Sequence, residues 1–229
     1  MGSALNYSVF KKVLFPKVEE LKVNSDFLLK NIISFNLDPS SELEDLSFSV
    51  FDFETTGLKT NKDKIIEIGA VKINMTDPDS YTSFETLVNP QIPFAKTNIS
   101  SSITGITEEM LSGQPTIKEV LPKFLDFITG SVLIAHNAEF DFAFLKASCS
   151  ECGYELESWP CYCTLKMART LHPELESKSL DSLANMYELT FDARHRSVGD
   201  ALVTKDVLIK FLKEGNYNTL NNLANFKVV

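Results

Sequence analysis

The chain has 229 residues, 44% of them hydrophobic, and a formal net charge of −9 at pH 7. This length buries a core without disulfides, and the negative charge argues against a broad electrostatic grip on nucleic acid, although bound cations neutralise the acidic sites of some nucleic-acid enzymes. No apolar run approaches the roughly 18 residues of a membrane span, and the first residues lack the apolar segment of a secretion signal. We therefore expect a cytoplasmic protein with no membrane segment.

Residues 1–45 predict short amphipathic helices. Apolar residues recur three and four positions apart in FKKVLF, PKVEELKV and SDFLLKNIISF. The stretch DPSS that follows indicates a turn or linker. We interpret this part of the chain as a helical extension packed on the following domain, with a partner-docking arm as the alternative.

After residue 45 the hydrophobic period changes from helical to alternating. Three segments rich in β-branched and aromatic residues predict strands, namely SFSVFDFE, KIIEIGAVKIN and SYTSFETLVN. The turn residues TTGLKTNKD and MTDPD separate them, which predicts an antiparallel meander. A capping box of Thr116 and Glu119 then opens a helix that Pro122 should kink and Gly130 should end.

The second half of the domain predicts one buried strand and several helices. SVLIA is the strand, and the helical segments are AEFDFAFLKASCSECG, TLKMARTLH, SLDSLANMYEL and VGDALVTKDVLIKFLKEG. Gly215 ends the last helix. The order βββαβα with further helices predicts an α/β domain, a mixed sheet flanked by helices.

The cysteines form a C-x2-C…C-x-C pattern that could bind zinc. They are Cys149, Cys152, Cys161 and Cys163. The spacer between the pairs is short and contains no histidine, so buried thiols are the favoured interpretation.

Two carboxylates interrupt the first strand, in the stretch FDFETTG. Because side chains alternate along a strand, Asp52 and Glu54 share one face, while Phe51 and Phe53 point to the other. Neighbouring like charges at a strand end are costly unless a cation lies between them, and carboxylate oxygens suit Mg²⁺ or Mn²⁺. Such a pair is a weak signal alone, because most are solvated surface.

Two further motifs contain candidate catalytic groups. In HNAEFD, His136 and Asn137 occupy the turn after the buried strand, and Asp141 starts the next helix. That acid either stabilises the helix dipole or adds a third carboxylate at the carboxyl edge of the sheet. In HRSVGDA, His195 lies in a loop and Asp200 in the first turns of the last helix, and an imidazole there suits a general base at neutral pH.

The segments FDFETTG, HNAEFD and HRSVGDA, in this order, resemble the DnaQ-like, DEDDh family of 3′→5′ exonucleases, which includes the epsilon proofreading subunit of bacterial DNA polymerase III. The resemblance also covers KIIEIGAV, SSITGITEEML and CTLKMAR…SLDSLANMYEL. It implies an RNase H-like fold for residues 46–215, between the helical extension 1–45 and a C-terminal tail 216–229. The first 45 residues have no counterpart in the family core.

The resemblance also implies the catalytic groups. Two divalent ions, Mg²⁺ or Mn²⁺, would be held by four carboxylates, those of Asp52, Glu54, Asp141 and Asp200. His195 would take a proton from the attacking water. The product would be a nucleoside 5′-monophosphate released from a free 3′ end.

The same resemblance also implies a set of substrate-binding residues. They are Thr55, Thr56, Leu58, Ile106, His136, Asn137 and Phe140. The family often has His where this chain has Thr104, and Phe140 equally suits an ordinary core position. Arg194 and Arg196 could contact phosphates or pair with nearby acids.

The expected function is metal-dependent 3′→5′ exonuclease activity on the 3′ ends of single-stranded DNA, in polymerase proofreading or end trimming. The same chemistry on RNA is the alternative, because stacking tolerates either sugar. A non-catalytic nucleic-acid-binding scaffold is a third hypothesis, against which the complete set of acids and His195 weighs. Docking to a DNA polymerase subunit through residues 1–45 or 216–229 is a hypothesis based on their position outside the predicted core.

Overall fold

The computed structural model of the protein describes residues 31–92 and 99–228. The helices predicted within residues 1–30 lie outside the described residues. Residues 31–45 and 216–228 belong to the same compact unit as the predicted domain. No helix in the described ranges is long and apolar enough to cross a membrane.

The strands of the described residues form one five-stranded sheet and one small two-stranded sheet. In chain order they are β1 (Asn31–Ser34), β2 (Ser47–Thr55), β3 (Ile65–Asn74), β4 (Asp77–Leu87), β5 (Ser131–Ala135), β6 (Tyr154–Ser158) and β7 (Cys161–Cys163). The larger sheet has the order β4-β3-β2-β5-β7. The predicted meander β2-β3-β4 is antiparallel, and β5 and β7 continue it in parallel. The sheet is therefore mixed, as predicted.

Helices form at the five segments where the sequence predicts them after residue 115, and two further short helices form within ISSSITGITEEML, for which it predicts none. They are α1 (Ile99–Thr104), α2 (Glu108–Leu111), α3 (Ile117–Ile128), α4 (Ala138–Glu151), α5 (Thr164–Leu171), α6 (Leu180–Met186) and α7 (Ser197–Glu214), with 3-10 helices at Leu43–Asp45 and Leu220–Phe226. The capping box at α3 is present, since the backbone N–H of Thr116 donates to Glu119 Oε2 at 2.7 Å. Pro122 lies inside α3 and does not end it.

Helices cover both faces of the five-stranded sheet. Phe51 and Phe53 of β2 pack on the core formed with α3 and α4. Phe48 and Val50 point the other way, into the core formed with α5, α6 and α7. Alternation along β2 thus supplies apolar side chains to two cores. This arrangement of a mixed sheet between helices confirms the RNase H-like fold class.

Part of the predicted N-terminal helix is a strand. Residues NIIS, within the segment SDFLLKNIISF, form β1, which pairs in parallel with β6. Strand pairing outweighs the helical period here, and the β-branched Ile32 and Ile33 suit a strand. The predicted turn MTDPD is shorter than expected, because β4 begins at Asp77.

The segment after α7 is packed into the domain and is not a tail outside the core. Leu220, Leu223 and Phe226 are buried in the same core as α7. The backbone N–H of Val228 donates to the carbonyl oxygen of Cys161 in β7 at 2.8 Å. The boundary predicted at residue 216 is therefore wrong, and the position of this segment no longer supports it as a polymerase-docking arm.

Candidate active site

β2 presents two carboxylates on the face that α7 covers. Asp52 lies opposite Gly69 of β3, and Glu54 lies opposite Glu67. They follow Val50 on this face, since side chains alternate along the strand. The geometry agrees with the same-face arrangement expected from the sequence.

A glycine in β3 lets the start of α7 approach the sheet. A Cβ added at Gly69 would lie 2.2 Å from the backbone nitrogen of Val198 and 2.3 Å from the carbonyl carbon of Ser197. No other residue type fits without moving the helix. Asp200, in the first turn of α7, is brought by this approach to the carboxylates of β2.

The start of α7 is also held by a buried glutamate. Glu67 Oε2 accepts a hydrogen bond from the backbone N–H of Ser197 at 2.9 Å, and its Oε1 accepts from Arg196 Nε at 2.9 Å. An acid at a helix N-terminus satisfies a free backbone N–H and complements the helix dipole. This role was not predicted, although the single acid in the apolar strand KIIEIGAVKIN is a usable signal for it.

Asp141 is supplied by α4, which packs on the face of the sheet opposite to α7. β2 pairs with β5 only as far as Val50, so its last residues extend beyond that ladder. Asp141, in the first turn of α4, accepts the backbone N–H of Phe53 at 3.1 Å through Oδ1 and is only 3% exposed. This bond fixes the fourth carboxyl group against the strand that carries Asp52.

Burial and mutual repulsion perturb the four carboxyl groups. Burial, followed by the charges of Asp141, Glu54 and Asp200, raises the pKa of Asp52 well above its ordinary value. Burial raises the pKa of Glu54 to about 8, with Asp200 as the largest of the repelling charges. Burial also raises the pKa of Asp141 to about 7. The metal-free cluster therefore disfavours full ionisation, as expected where carboxylates share a pocket.

The donor set fits a divalent cation. One carboxylate oxygen from each of Asp52, Glu54 and Asp200 lies within 4.8 Å of the other two. Asp200 Oδ1 is buried and has no hydrogen-bond partner. Buried polar atoms are rarely left unpaired, and hard oxygen ligands are those that Mg²⁺ and Mn²⁺ prefer. Within residues 31–92 and 99–228 this is the only group of three or more metal-ligating side chains.

The cysteines do not form a metal site in the described part of the chain. All four thiols are free, and no group of metal-ligating side chains includes them. Burial raises the pKa of Cys149 to about 12, which disfavours the thiolate that zinc requires. The buried-thiol interpretation therefore fits this structure.

An arginine connects the loop before α7 to α6. Arg194 donates from Nε and Nη2 to the two carboxylate oxygens of Asp181 at 2.7 and 2.8 Å, and from Nη1 to Asp200 Oδ2. Its guanidinium lies 4.9 Å from the ring centroid of Phe191. Burial raises the pKa of Asp200, and Arg194 opposes that rise. Arg194 and Arg196 thus both pair with acids in this structure.

His195 follows in the same loop, beside Asp200. Its backbone is left-handed, with φ of 62°, and the side chain is half-buried. Against the rise that burial causes, the Arg194 guanidinium and a hydrogen bond from the backbone N–H of His195 both lower the pKa of Asp200. The loop thus places an imidazole next to the acids, where the sequence predicts a general base.

The predicted substrate-binding residues after β2 have different environments. Leu58 is 82% exposed. Thr55 and Thr56 are buried, and their hydroxyls bond within the turn, from Thr55 Oγ1 to the Gly57 carbonyl at 2.6 Å and from Thr56 Oγ1 to Asp63 at 3.3 Å. Only the leucine presents a large surface to a ligand.

Ile106 does not fit its predicted role. Its side chain has no exposed surface and packs with Ile66 and Leu111 in a small core cluster. The expectation that Ile106 packs on a base is therefore wrong in this structure. An apolar residue beside a glycine is equally typical of a buried core position, and the sequence pattern does not distinguish a core residue from one that contacts a base.

The turn between β5 and α4 places the other predicted residues. His136 Nδ1 lies 3.0 Å from Thr164 Oγ1, and burial lowers its pKa to about 4, so the ring is neutral at pH 7. Asn137 is exposed and left-handed, with φ of 58°. Phe140 is half-buried, 4.9 Å from the ring of Phe144, and packs against the core. Asn137 is thus at the surface, His136 is half-buried against Thr164, and Phe140 is largely a packing residue.

A family model described as exonuclease matches residues 49–208 of this chain. The chain belongs to the exonuclease family. The match spans all four acids and His195, and the resemblance to DEDDh exonucleases is thereby confirmed. The domain is a hydrolytic exonuclease of that type.

Relatives and solved structures agree with this assignment. The chain is 45% identical over 167 residues to a DNA polymerase III PolC-type of Caldanaerobacter subterraneus subsp. tengcongensis, covering 73% of this chain and 12% of that protein. It is 40% identical to the Thermotoga petrophila protein of the same name, covering 84% of this chain and 14% of that protein. The chain thus spans about an eighth of the length of these relatives.

Among solved structures, Exonuclease X in complex with 5′ overhanging duplex DNA matches with a TM-score of 0.61 and 25% identity, covering 78% of this chain and 98% of that chain. The nuclease domain of 3′hExo, a DEDDh family member bound to rAMP, matches with a TM-score of 0.64 and 20% identity, covering 74% of this chain and 92% of that chain. The second likeness shows the fold alone.

Proposed function

We propose that this exonuclease domain is metal-dependent and removes nucleoside 5′-monophosphates from the 3′ ends of single-stranded DNA. The observation that carries the proposal is the convergence of one carboxylate oxygen from each of Asp52, Glu54 and Asp200 within 4.8 Å, and Asp200 Oδ1 is in addition buried and unpartnered. These oxygens face a pocket that repels further negative charge, and a phosphodiester can bind there only if cations are present.

The four carboxylates would hold two ions, Mg²⁺ or Mn²⁺. Asp52, Glu54 and Asp200 supply the converging oxygens, and Asp141 is buried against the backbone of Phe53 beside them. Bound there, such ions supply charge stabilisation for the entering and departing oxygens of an in-line displacement.

The chain's own groups would position the substrate and move the proton. His195 accepts a proton from the attacking water at its imidazole, because it lies beside Asp200 and outside the apolar core. Leu58, which is almost fully exposed at the end of β2, packs on the terminal base. Thr55 and Thr56 fix the turn that carries Leu58 through the hydroxyl bonds described above.

Proofreading for a DNA polymerase is the proposed setting. The support is that the relatives matched over three quarters of this chain are named DNA polymerase III PolC-type. A polymerase is therefore the proposed partner, and DNA the proposed substrate.

The experiment is digestion of matched 5′-labelled single-stranded DNA and RNA oligomers over a titration of Mg²⁺ and Mn²⁺. We expect a ladder of DNA products shortened from the 3′ end, and no products with chelator. Asp52→Asn is the control variant. Release of a labelled mononucleotide at the start would show the opposite polarity. Faster digestion of RNA would identify RNA as the substrate instead of DNA. Tight binding without digestion of either oligomer would favour a non-catalytic scaffold.

A further inference from the structure

An open polar groove lies beside the turn that follows β5. Its volume is about 640 Å³, and its walls come from that turn, from α5 and from the segment before α6. Volumes of this size suit a ligand as large as a nucleotide or two. The lining of the groove includes two cationic side chains, Arg169 and Lys178, and one acidic side chain, Glu176.

The groove is continuous with the elements that carry the acids. His136 and Asn137 directly precede α4, which carries Asp141. On the other wall, the Ser179 side chain caps α6, whose Asp181 holds Arg194 and through it Asp200. A strand whose 3′ end lies at the acids therefore has the groove as a neighbouring surface.

The charges of the groove favour an anion. Arg169 is exposed in the last turn of α5, and no ion pair of its guanidinium is found among the described residues. Lys178 Nζ donates to the carbonyl oxygens of Pro173, at 3.1 Å, and Leu175, which leaves one of its three protons for a ligand. Glu176 is the single acidic residue of the lining. Two cations in one groove are notable in a chain with a net charge of −9.

We propose that this groove binds the sugar–phosphate backbone of the nucleotides that precede the 3′-terminal nucleotide, with Arg169 as the phosphate contact. The proposal rests on the proposed function, because it takes the terminal nucleotide to lie at the carboxylates. The side chains of Asn137 and Ser179 add hydrogen-bond donors suited to phosphate oxygens, the Ser177 hydroxyl donates to Ser179 Oγ at 3.1 Å, and His136, neutral at pH 7, shapes the wall. Such contacts read no base sequence, so binding here is independent of sequence.

The test measures binding separately from cleavage. Fluorescence anisotropy with labelled single-stranded DNA and RNA is performed on the full chain carrying Asp52→Asn. Adding Arg169→Ala should raise Kd about five- to twentyfold, and the slope of log Kd against log salt should fall by about 0.7, the value for one phosphate contact on a single strand. Arg169→Lys should recover most of the affinity, because the charge is kept. Glu176→Gln should lower Kd about twofold.

Lys123→Ala is the matched control, since Lys123 is an exposed cation on α3, on the other face of the sheet. Its Kd should stay at the parent value. With the catalytic residues intact, Arg169→Ala should raise KM far more than it lowers kcat.

The outcomes separate this inference from the proposed function. If the unmodified chain digests DNA but Arg169→Ala leaves Kd, the salt slope and KM at parent values, the groove assignment is overturned and the proposed function stands. An equal loss from Lys123→Ala would also overturn it, by showing only a general effect of charge. If neither DNA nor RNA is digested while Arg169→Ala weakens binding as stated, the groove assignment stands and the proposed function fails.

Discussion

The close approach of α7 to β3 makes Gly69→Ala a direct test of how the site is assembled. The added Cβ would lie 2.2 Å from Val198 N and 2.3 Å from the carbonyl carbon of Ser197. Both are backbone atoms, so no side-chain rotation relieves the overlap. Ordinary contact begins at 3.4 Å, and the start of α7 must therefore retreat by about 1.2 Å.

The retreat should affect catalysis more than stability. Asp200 lies in the first turn of α7 and moves with it, away from the carboxylates of β2. A misplacement of about 1 Å costs on the order of 10²-fold in rate. Overpacking by one methyl group costs about 1–3 kcal/mol, which lowers Tm by about 2–12 °C in a domain of this size.

The assay compares kcat on single-stranded DNA at saturating Mg²⁺ with Tm from thermal unfolding. Ala70→Gly is the control, because Ala70 is the next residue of β3 and its side chain faces the core on the other side of the sheet. That variant should lose stability and keep kcat within about twofold, since α7 does not contact its side chain. A folded Gly69→Ala variant whose kcat stays within about threefold of the parent would refute the reasoning.

Three further predictions concern the charged groups. Asp52→Asn should abolish digestion of DNA and raise the Tm of the metal-free protein by a few degrees, because it removes one of the repelling carboxylates. His195→Ala should lower kcat about 10²- to 10⁴-fold at pH 7, the usual contribution of a positioned base. The Tm of the chelator-treated protein should fall as pH rises from about 6.5 to 8. The cause is that the pKa values of Asp141, about 7, and Glu54, about 8, are raised in the fold.

The sign of the pH effect follows from proton binding. In this window the folded protein holds more protons on its acids than the unfolded chain, so each rise in pH favours unfolding. The pKa of His136, lowered to about 4 by burial, produces the opposite slope only below its ordinary value of 6.5. Mg²⁺ should therefore raise Tm more at pH 8 than at pH 6.5, as differential scanning fluorimetry would show. An increase in Tm with pH for the metal-free protein would contradict the raised pKa values as the cause of the pH effect. Digestion of DNA by Asp52→Asn would contradict the catalytic role of Asp52, and full activity of His195→Ala would contradict the role of His195 as the base.

The sequence predicts the arrangement of residues within each motif of the site, but not the convergence of the motifs in the fold. Alternation along β2 suffices to place Asp52 and Glu54 on one face, since neighbouring residues decide it. The convergence with Asp200 depends on a contact between distant segments, and it was expected only from the family resemblance. The roles of Glu67 and Gly69 in holding α7 likewise appear only once β3 and α7 are packed together.

Some elements near the ends of the domain and at the edge of the sheet likewise could not be predicted from the local sequence. The strand β1 forms because β6 lies beside it, and β7 has only three residues, too few for a pattern. The segment 216–228 carries apolar residues at helical spacing, yet its position after the last long helix favours a tail outside the core. Its burial against α7 is a tertiary contact that no local signal announces.

The distance along the chain between Asp52 and Asp200 has a consequence during synthesis. About 150 residues separate the first acid from the last, so a ribosome making about 5–20 residues per second needs on the order of 10–30 s to supply both. Until the last helix has emerged and docked, the nascent polypeptide lacks the Asp200 carboxylate that completes the acidic cluster. We therefore expect the proposed nuclease activity to appear only after the segment that contains Asp200 has been synthesised.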